Sequence, residues 1–147
     1  MLAYPEFLPD GRIKQRRAIK VEDVINKLVN EGKTKKARKI VDNCINFIFE
    51  MWKYKIHEKT FKFYSNFGLL GGKIVLIDLF ELTDKKEKVE RQIKNNGWKH
   101  LEDIAKHFSA ESISYFLEQA EKRITLEKLN KYWGMKSKQN FYKTEKF

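Results

Sequence analysis

The chain has 147 residues, a formal net charge of +11 from 31 Lys and Arg against 20 Asp and Glu, and 41% apolar residues. That length suits one domain burying about two-thirds of the surface its unfolded chain would expose; the single cysteine, Cys44, excludes an internal disulfide and a cysteine-rich metal cluster. No apolar run approaches the ~20 residues of a membrane helix and none near the start resembles a signal peptide, so a soluble, cytoplasmic protein is expected, and the basic excess favours an anionic partner such as RNA, DNA or a nucleotide phosphate.

Residues 1–11 hold both prolines, Pro5 and Pro9, and the turn pair Asp10-Gly11, and read as a lead-in. Residues 12–19 set Ile13, Gln15, Arg17 and Ile19 against Lys14, Arg16 and Ala18, an extended pattern whose cations suit an edge strand. Over residues 21–31, Val21, Val24, Ile25, Leu28 and Val29 recur at the helical period. Glu22 and Asp23 favour the positive end of that helix, and Gly32 stops it. Lys33-Thr34 opens the longest helix, running to about Tyr54. Its stripe is Ala37, Ile40, Val41, Cys44, Ile45, Ile48 and Trp52, widened by Phe47, Phe49 and Met51. This helix is the expected central rod of the core, and Cys44 on the stripe is a packing residue rather than a nucleophile.

Residues 57–64 link the rod to the next element. His57 and Glu58 carry groups that transfer protons, but at a helix end they read as a solvated cap, with His57 beside the negative end of the dipole. Phe61 and Phe63 alternate with Lys62 and predict an extended segment anchored by its aromatics. From Ser65 to Asp78, two short apolar runs flank Gly71-Gly72, which predicts a β-hairpin with Asn66 and Asp78 at the mouth opposite the turn. A two-residue turn, Gly71-Gly72, sets Asn66 opposite Ile77, with Asn66 and Asp78 on opposite faces. A three-residue turn that includes Lys73 sets Asn66 opposite Asp78 with Cβ atoms ~5 Å apart. In that register, or with a bend at the strand end, a carboxylate and an amide oxygen would suit Mg²⁺, which needs only one or two protein oxygens besides phosphates and water. Read singly, Asn66 is a turn residue and Asp78 a strand-ending cap.

Thr83 is the expected cap of a charge-rich surface helix over residues 85–95, broken by Asn95-Asn96-Gly97. Trp98, Leu101, Ala105 and Phe108 form the next stripe. Ser109 caps a helix carrying Ile113, Phe116, Leu117 and Ala120, and Thr125 caps a last one with Leu126, Leu129 and Trp133. His100 and His107 share a helical face but lack a third ligand for zinc. Residues 134–147 form a basic tail expected to fray. The chain therefore reads as a single domain, 1–147, with a folded core over 12–133. Its class is α+β, mainly helical, with a small hairpin packed on a helical bundle.

An asparagine, a short hairpin and an Ile-Asp strand end, in the order Asn66, Gly71-Gly72, Ile77-Asp78, resemble the metal-binding segment of the protein-kinase-like fold. In that fold an Asn closing the catalytic loop and an Asp opening the D-F-G motif hold the metal ions of the nucleotide. The flanking order is also similar, with an extended segment, a shorter helix and a long apolar helix ahead of the loop. The resemblance covers roughly residues 8–82 and implies the helical C-terminal lobe of a kinase-like fold, with Asn66 and Asp78 as metal and cofactor residues and Mg²⁺ and ATP as ligands. The sequence departs from the pattern at the catalytic Asp position, which is Phe61, at the His position, Lys59, and after the metal Asp, where Leu79 and Phe80 stand. No glycine-rich phosphate loop or Val-Ala-Ile-Lys-like strand precedes residue 57. The expectation is a diverged or truncated pseudokinase, inactive on its own, with at most weak Mg²⁺-nucleotide binding and no catalytic residue assigned. A second chain supplying the missing lobe would complete it. The alternative is a basic helical adaptor binding RNA or another polyanion through Arg12, Lys14, Arg16, Arg17 and the tail lysines.

Overall fold

In the computed structural model, which describes residues 6–14, 17–60, 62–78, 81–99, 104 and 106–136, one long helix organises the core. This helix, α2 (Thr34–Lys53), buries Ala37, Val41, Cys44, Ile45, Phe47, Ile48, Phe49, Met51 and Trp52, close to the stripe expected from its 3.6-residue period. Each of the larger aliphatic and aromatic side chains among them contributes ~1.5–3 kcal/mol before the entropy of ordering it is set against that gain. The preceding helix α1 (Val21–Asn30) ends before Gly32, whose φ of 75° only glycine adopts freely, and packs on α2.

After α2 come β4 (His57–Glu58) and a helical turn, α3 (Phe63–Asn66). The hairpin β5 (Phe67–Leu70) and β6 (Lys73–Leu76) follows, then β7 (Leu82–Thr83). Three further helices complete the described residues: α4 (Lys86–Lys94), α5 (Ala110–Arg123) and α6 (Leu126–Tyr132). Helices α5 and α6 pack on α2, and α4 packs on α6. Ser109 and Thr125 cap α5 and α6 as expected, accepting from the N–H groups of Ser112 and Lys128. The class is α+β, mainly helical, and no helix among the described residues is long and apolar enough to cross a membrane.

Among the described residues all strand pairs are antiparallel. Ahead of α1, β1 (Glu6–Phe7) pairs with β2 (Ile13–Lys14), and β3 (Ile19–Lys20) pairs with β5, giving a sheet of order β3-β5-β6. The hairpin takes the two-residue turn. Leu70 lies opposite Lys73, and Gly71 and Gly72 both have positive φ, 58° and 79°, as a type I′ turn requires. One sheet face meets α2, with Phe67 edge-on to Phe47 at 5.0 Å between ring centroids. On the other face Gly68 leaves no room for a side chain: a Cβ there would stand 2.7 Å from Ile77 Cδ1 and 2.9 Å from Ala18 Cβ.

Several expectations are corrected. Residues 6–14, the described end of the lead-in and the start of the segment after it, form the β1–β2 hairpin around Asp10-Gly11. Of the segment expected to be extended over Phe61, Lys62 and Phe63, Phe61 lies outside the described residues and Phe63 opens a helical turn instead, packing on Phe116 and Phe108 with ring centroids at 4.4 and 6.0 Å. Thr83 lies in β7, and its hydroxyl accepts from the Lys85 N–H without capping α4, whose flanking residue is Lys85. The start of the expected tail is tied down, since Gly134 N–H donates to the Trp52 carbonyl at 3.0 Å and Lys136 N–H to the Lys53 carbonyl at 2.6 Å. Of the stripe from Trp98 to Phe108, Leu101 and Ala105 lie outside the described residues, as do His100 and residues 137–147.

Candidate functional site

The two-residue turn fixes where Asn66 and Asp78 stand. The Ile77 N–H donates to the Asn66 carbonyl at 2.8 Å, so Asn66 lies opposite Ile77 and the direct cross-strand pairing with Asp78 does not form. Asn66 is the last residue of α3 rather than a pleated strand residue, and it is followed by the extended Phe67. Neither residue is open at a mouth: Asn66 is only 8% exposed, and Asp78 is half-buried and takes part in a contact within the fold.

The loop that leads to Asn66 is built on a buried carboxylate. Glu58, 2% exposed, accepts through Oε1 from the Thr60 N–H at 3.0 Å and the Thr60 hydroxyl at 2.6 Å, and through Oε2 from the Lys62 N–H at 3.1 Å. The Thr60 hydroxyl proton is thereby committed to Glu58, so toward Asn66 and Lys62 its oxygen only accepts, at 3.3 and 3.2 Å. It follows that Asn66 presents its Nδ2 to Thr60 and turns its Oδ1 away from that hydroxyl. Burial pushes the Glu58 carboxyl above the usual carboxylate range and Glu81 adds to that rise, while the bonds from Thr60 and Asn66 oppose it.

Its neighbour is buried just as deeply. His57 is 0% exposed, in contrast to the solvated cap expected, and accepts at Nδ1 from the Trp52 indole N–H at 3.0 Å. Indole nitrogen only donates, so Nδ1 is bare and Nε2 carries the proton, which it donates to Gln92 Oε1 at 3.0 Å. The Gln92 amide in turn donates to the Lys59 carbonyl. Burial lowers the His57 pKa to about 4, so the ring is neutral at physiological pH and acts as a linker rather than a proton carrier. The chain Trp52–His57–Gln92–Lys59 thus ties α2, β4, α4 and the loop into one unit.

The strands close this unit. β4 and β7 pair His57 with Thr83 and Glu58 with Leu82, and the Lys59 N–H donates to the Glu81 carbonyl at 2.9 Å. The segment leading to Asn66 and the segment leaving Asp78 therefore share a base. Among the described residues no three His, Cys, Asp or Glu side chains gather as a metal-binding group. Phe61, Leu79 and Phe80 lie outside them. His107 is a tether: its Nδ1 lies 2.7 Å from Glu22 Oε1, its carbonyl accepts from Asn26 Nδ2 at 2.7 Å, and its ring lies tilted against Tyr64, 4.8 Å between centroids.

Sequence reasoning missed Thr60 and Gln92 and gave the wrong surroundings to His57 and Glu58. The Glu58–Thr60 spacing was the one available signal, since a carboxylate two residues ahead of a backbone N–H can close a local side-chain turn. Gln92, 35 residues from His57 on a charge-rich helix, gave none. No protein-family model, curated protein or solved structure matches the chain.

Proposed function

We propose that the chain is a kinase-like module without independent phosphoryl transfer, retaining weak Mg²⁺-nucleotide binding through Asn66 and Asp78. The observation that carries this reading is the β4–β7 ladder, which closes the loop ending at Asn66 and the segment following Asp78 on one base. The donor chemistry suits a hard cation: an amide oxygen turned away from Thr60 and one carboxylate, with the nucleotide phosphates and water completing the shell. Glu58 and Thr60 hold the amide of Asn66, and Gln92 holds the backbone at Lys59. A second chain supplying a phosphate-clamping lobe would complete the catalytic apparatus.

Thermal unfolding tests the reading. A ligand bound only by the folded state at ten times its Kd stabilises by about 1.4 kcal/mol, which raises Tm by a few degrees in a domain of this size. Mg²⁺ with ATP should give that rise, ATP with a chelator should not, and Asp78→Asn should abolish the difference. Equal shifts with and without Mg²⁺, unaffected by Asp78→Asn, would remove the metal site and leave Asn66 and Asp78 as structural residues.

A further inference from the structure

Among the described residues the exposed large apolar side chains are Phe7, Ile19 and Met135, and the first two precede α1. Ile19 is 60% exposed at the edge of the three-stranded sheet. It stands opposite Leu69, which stands opposite Ile74, so three aliphatic side chains form one row on one face. The row passes from exposed Ile19 to half-buried Leu69 and Ile74, and the same face continues into the core at Phe67 and Leu76. Burial within the fold accounts for all of it except Ile19.

The backbone at this edge is also oriented outward. The residues flanking a two-residue turn form a hydrogen-bonded pair, Leu70 with Lys73, and alternation makes Gly68–Val75 the next such pair. Leu69 therefore directs its backbone groups to Ile19, and Ala18 directs its own away from β5. The flanking chain is strongly cationic: residues 11–20 contain Arg12, Lys14, Arg16, Arg17 and Lys20 and no acidic residue. Arg17 and Lys20 are exposed.

We propose that the β3 edge is a docking surface for an acidic polypeptide in extended conformation, whose apolar side chains cover Ile19 and Leu69 and whose carboxylates meet Arg17 and Lys20. Charge selects this occupant. A second copy would bring +11 against +11, and like charge opposes association. A nucleic acid would neutralise the cations, but its bases need aromatic faces to stack on, and the row offers aliphatic side chains. An extended peptide fits the outward backbone groups of Ala18 and alternates its side chains between the row and the solvent.

The test is an NMR titration of the full chain with a short synthetic peptide alternating Glu and Val, run beside polyglutamate and single-stranded poly-U RNA, with sedimentation to detect self-association. The Glu/Val peptide should bind with amide shifts centred on Ile19, Lys20 and Leu69, and more tightly than polyglutamate. Ile19→Asp should weaken it by about tenfold or more, since the loss of one covered aliphatic side chain is worth at least that factor. Arg17→Glu should weaken it too. Both positions are exposed, so the variants should keep the wild-type thermal midpoint, measured alongside. Failure of the peptide to bind, equal binding of polyglutamate or poly-U that ignores Ile19→Asp, or a dimer dissolved by Ile19→Asp would each overturn the proposal. No arm uses ATP or Mg²⁺ and the variants lie at Ile19 and Arg17 rather than at Asn66 or Asp78, so the outcome is separate from that of the Mg²⁺-ATP comparison.

Discussion

His57 is the residue whose environment most changes its chemistry. Its imidazole would titrate near 6.5 in the unfolded chain, whereas burial lowers the folded value to about 4. Between those values the unfolded chain binds a proton that the folded protein refuses, so stability falls as pH drops from about 6.5 to about 4 and levels off below that. The full window corresponds to roughly 3 kcal/mol. Glu58, beside it, acts with the opposite sign: burial raises its folded pKa above 4.5, so its contribution to folding improves as pH falls through that raised value. The variant His57→Gln separates the two, because an amide can still accept from Trp52 and donate to Gln92 but does not titrate. Denaturant midpoints should fall more steeply from pH 6.5 to 4 in the wild type than in His57→Gln. Parallel slopes would mean that His57 is not held neutral by the fold.

At the scale of elements, legibility followed length. Helix α2 was readable because 20 residues keep one apolar period without interruption, whereas β1, β2, β3, β4 and β7 are two residues each and too short to display a period of two. The turn at 63–66 was misread because Phe61 and Phe63 imitate strand alternation, while the deciding contacts, Phe108 and Phe116, lie more than forty residues away. Register was legible only as two alternatives, settled when Lys73 joins the strand opposite Leu70. The site was half legible: Asn66 and Asp78 stood out as polar ends of apolar runs, but Thr60 and Gln92 acquire their roles only through Glu58 and His57. The reading of α2 as the rod has a direct consequence. Ile45 and Ile48, 0% and 3% exposed, leave cavities with little room to relax, so replacing either by Ala should cost ~2–5 kcal/mol. Lys36 is exposed, and Lys36→Ala should be close to neutral. Equal denaturant midpoints for the two kinds of variant would contradict the placement of α2.

For the whole molecule, phosphoryl transfer demands several groups at once: a base or positioning group at the acceptor hydroxyl, cations on the β- and γ-phosphates, and a clamp that aligns them. This chain carries, at the position where the kinase-like pattern has its catalytic Asp, Phe61, which has no atom able to accept a proton. The buried carboxylate closest in sequence, Glu58, is occupied by Thr60 and Lys62 and supports the loop from behind. His57 is neutral and enclosed between Trp52 and Gln92. Only glycines 11 and 32 occur before residue 57, too few and too far apart for a phosphate-cradling loop. The protein by itself should therefore transfer no phosphate from labelled ATP to itself, to generic protein acceptors or to small hydroxyl compounds, even if Mg²⁺-ATP raises its Tm. Incorporation by the isolated chain that survives exhaustive purification and disappears in Asp78→Ala would show that transfer proceeds with Phe61 at that position, and the proposed reading of a module without independent phosphoryl transfer would have to be abandoned.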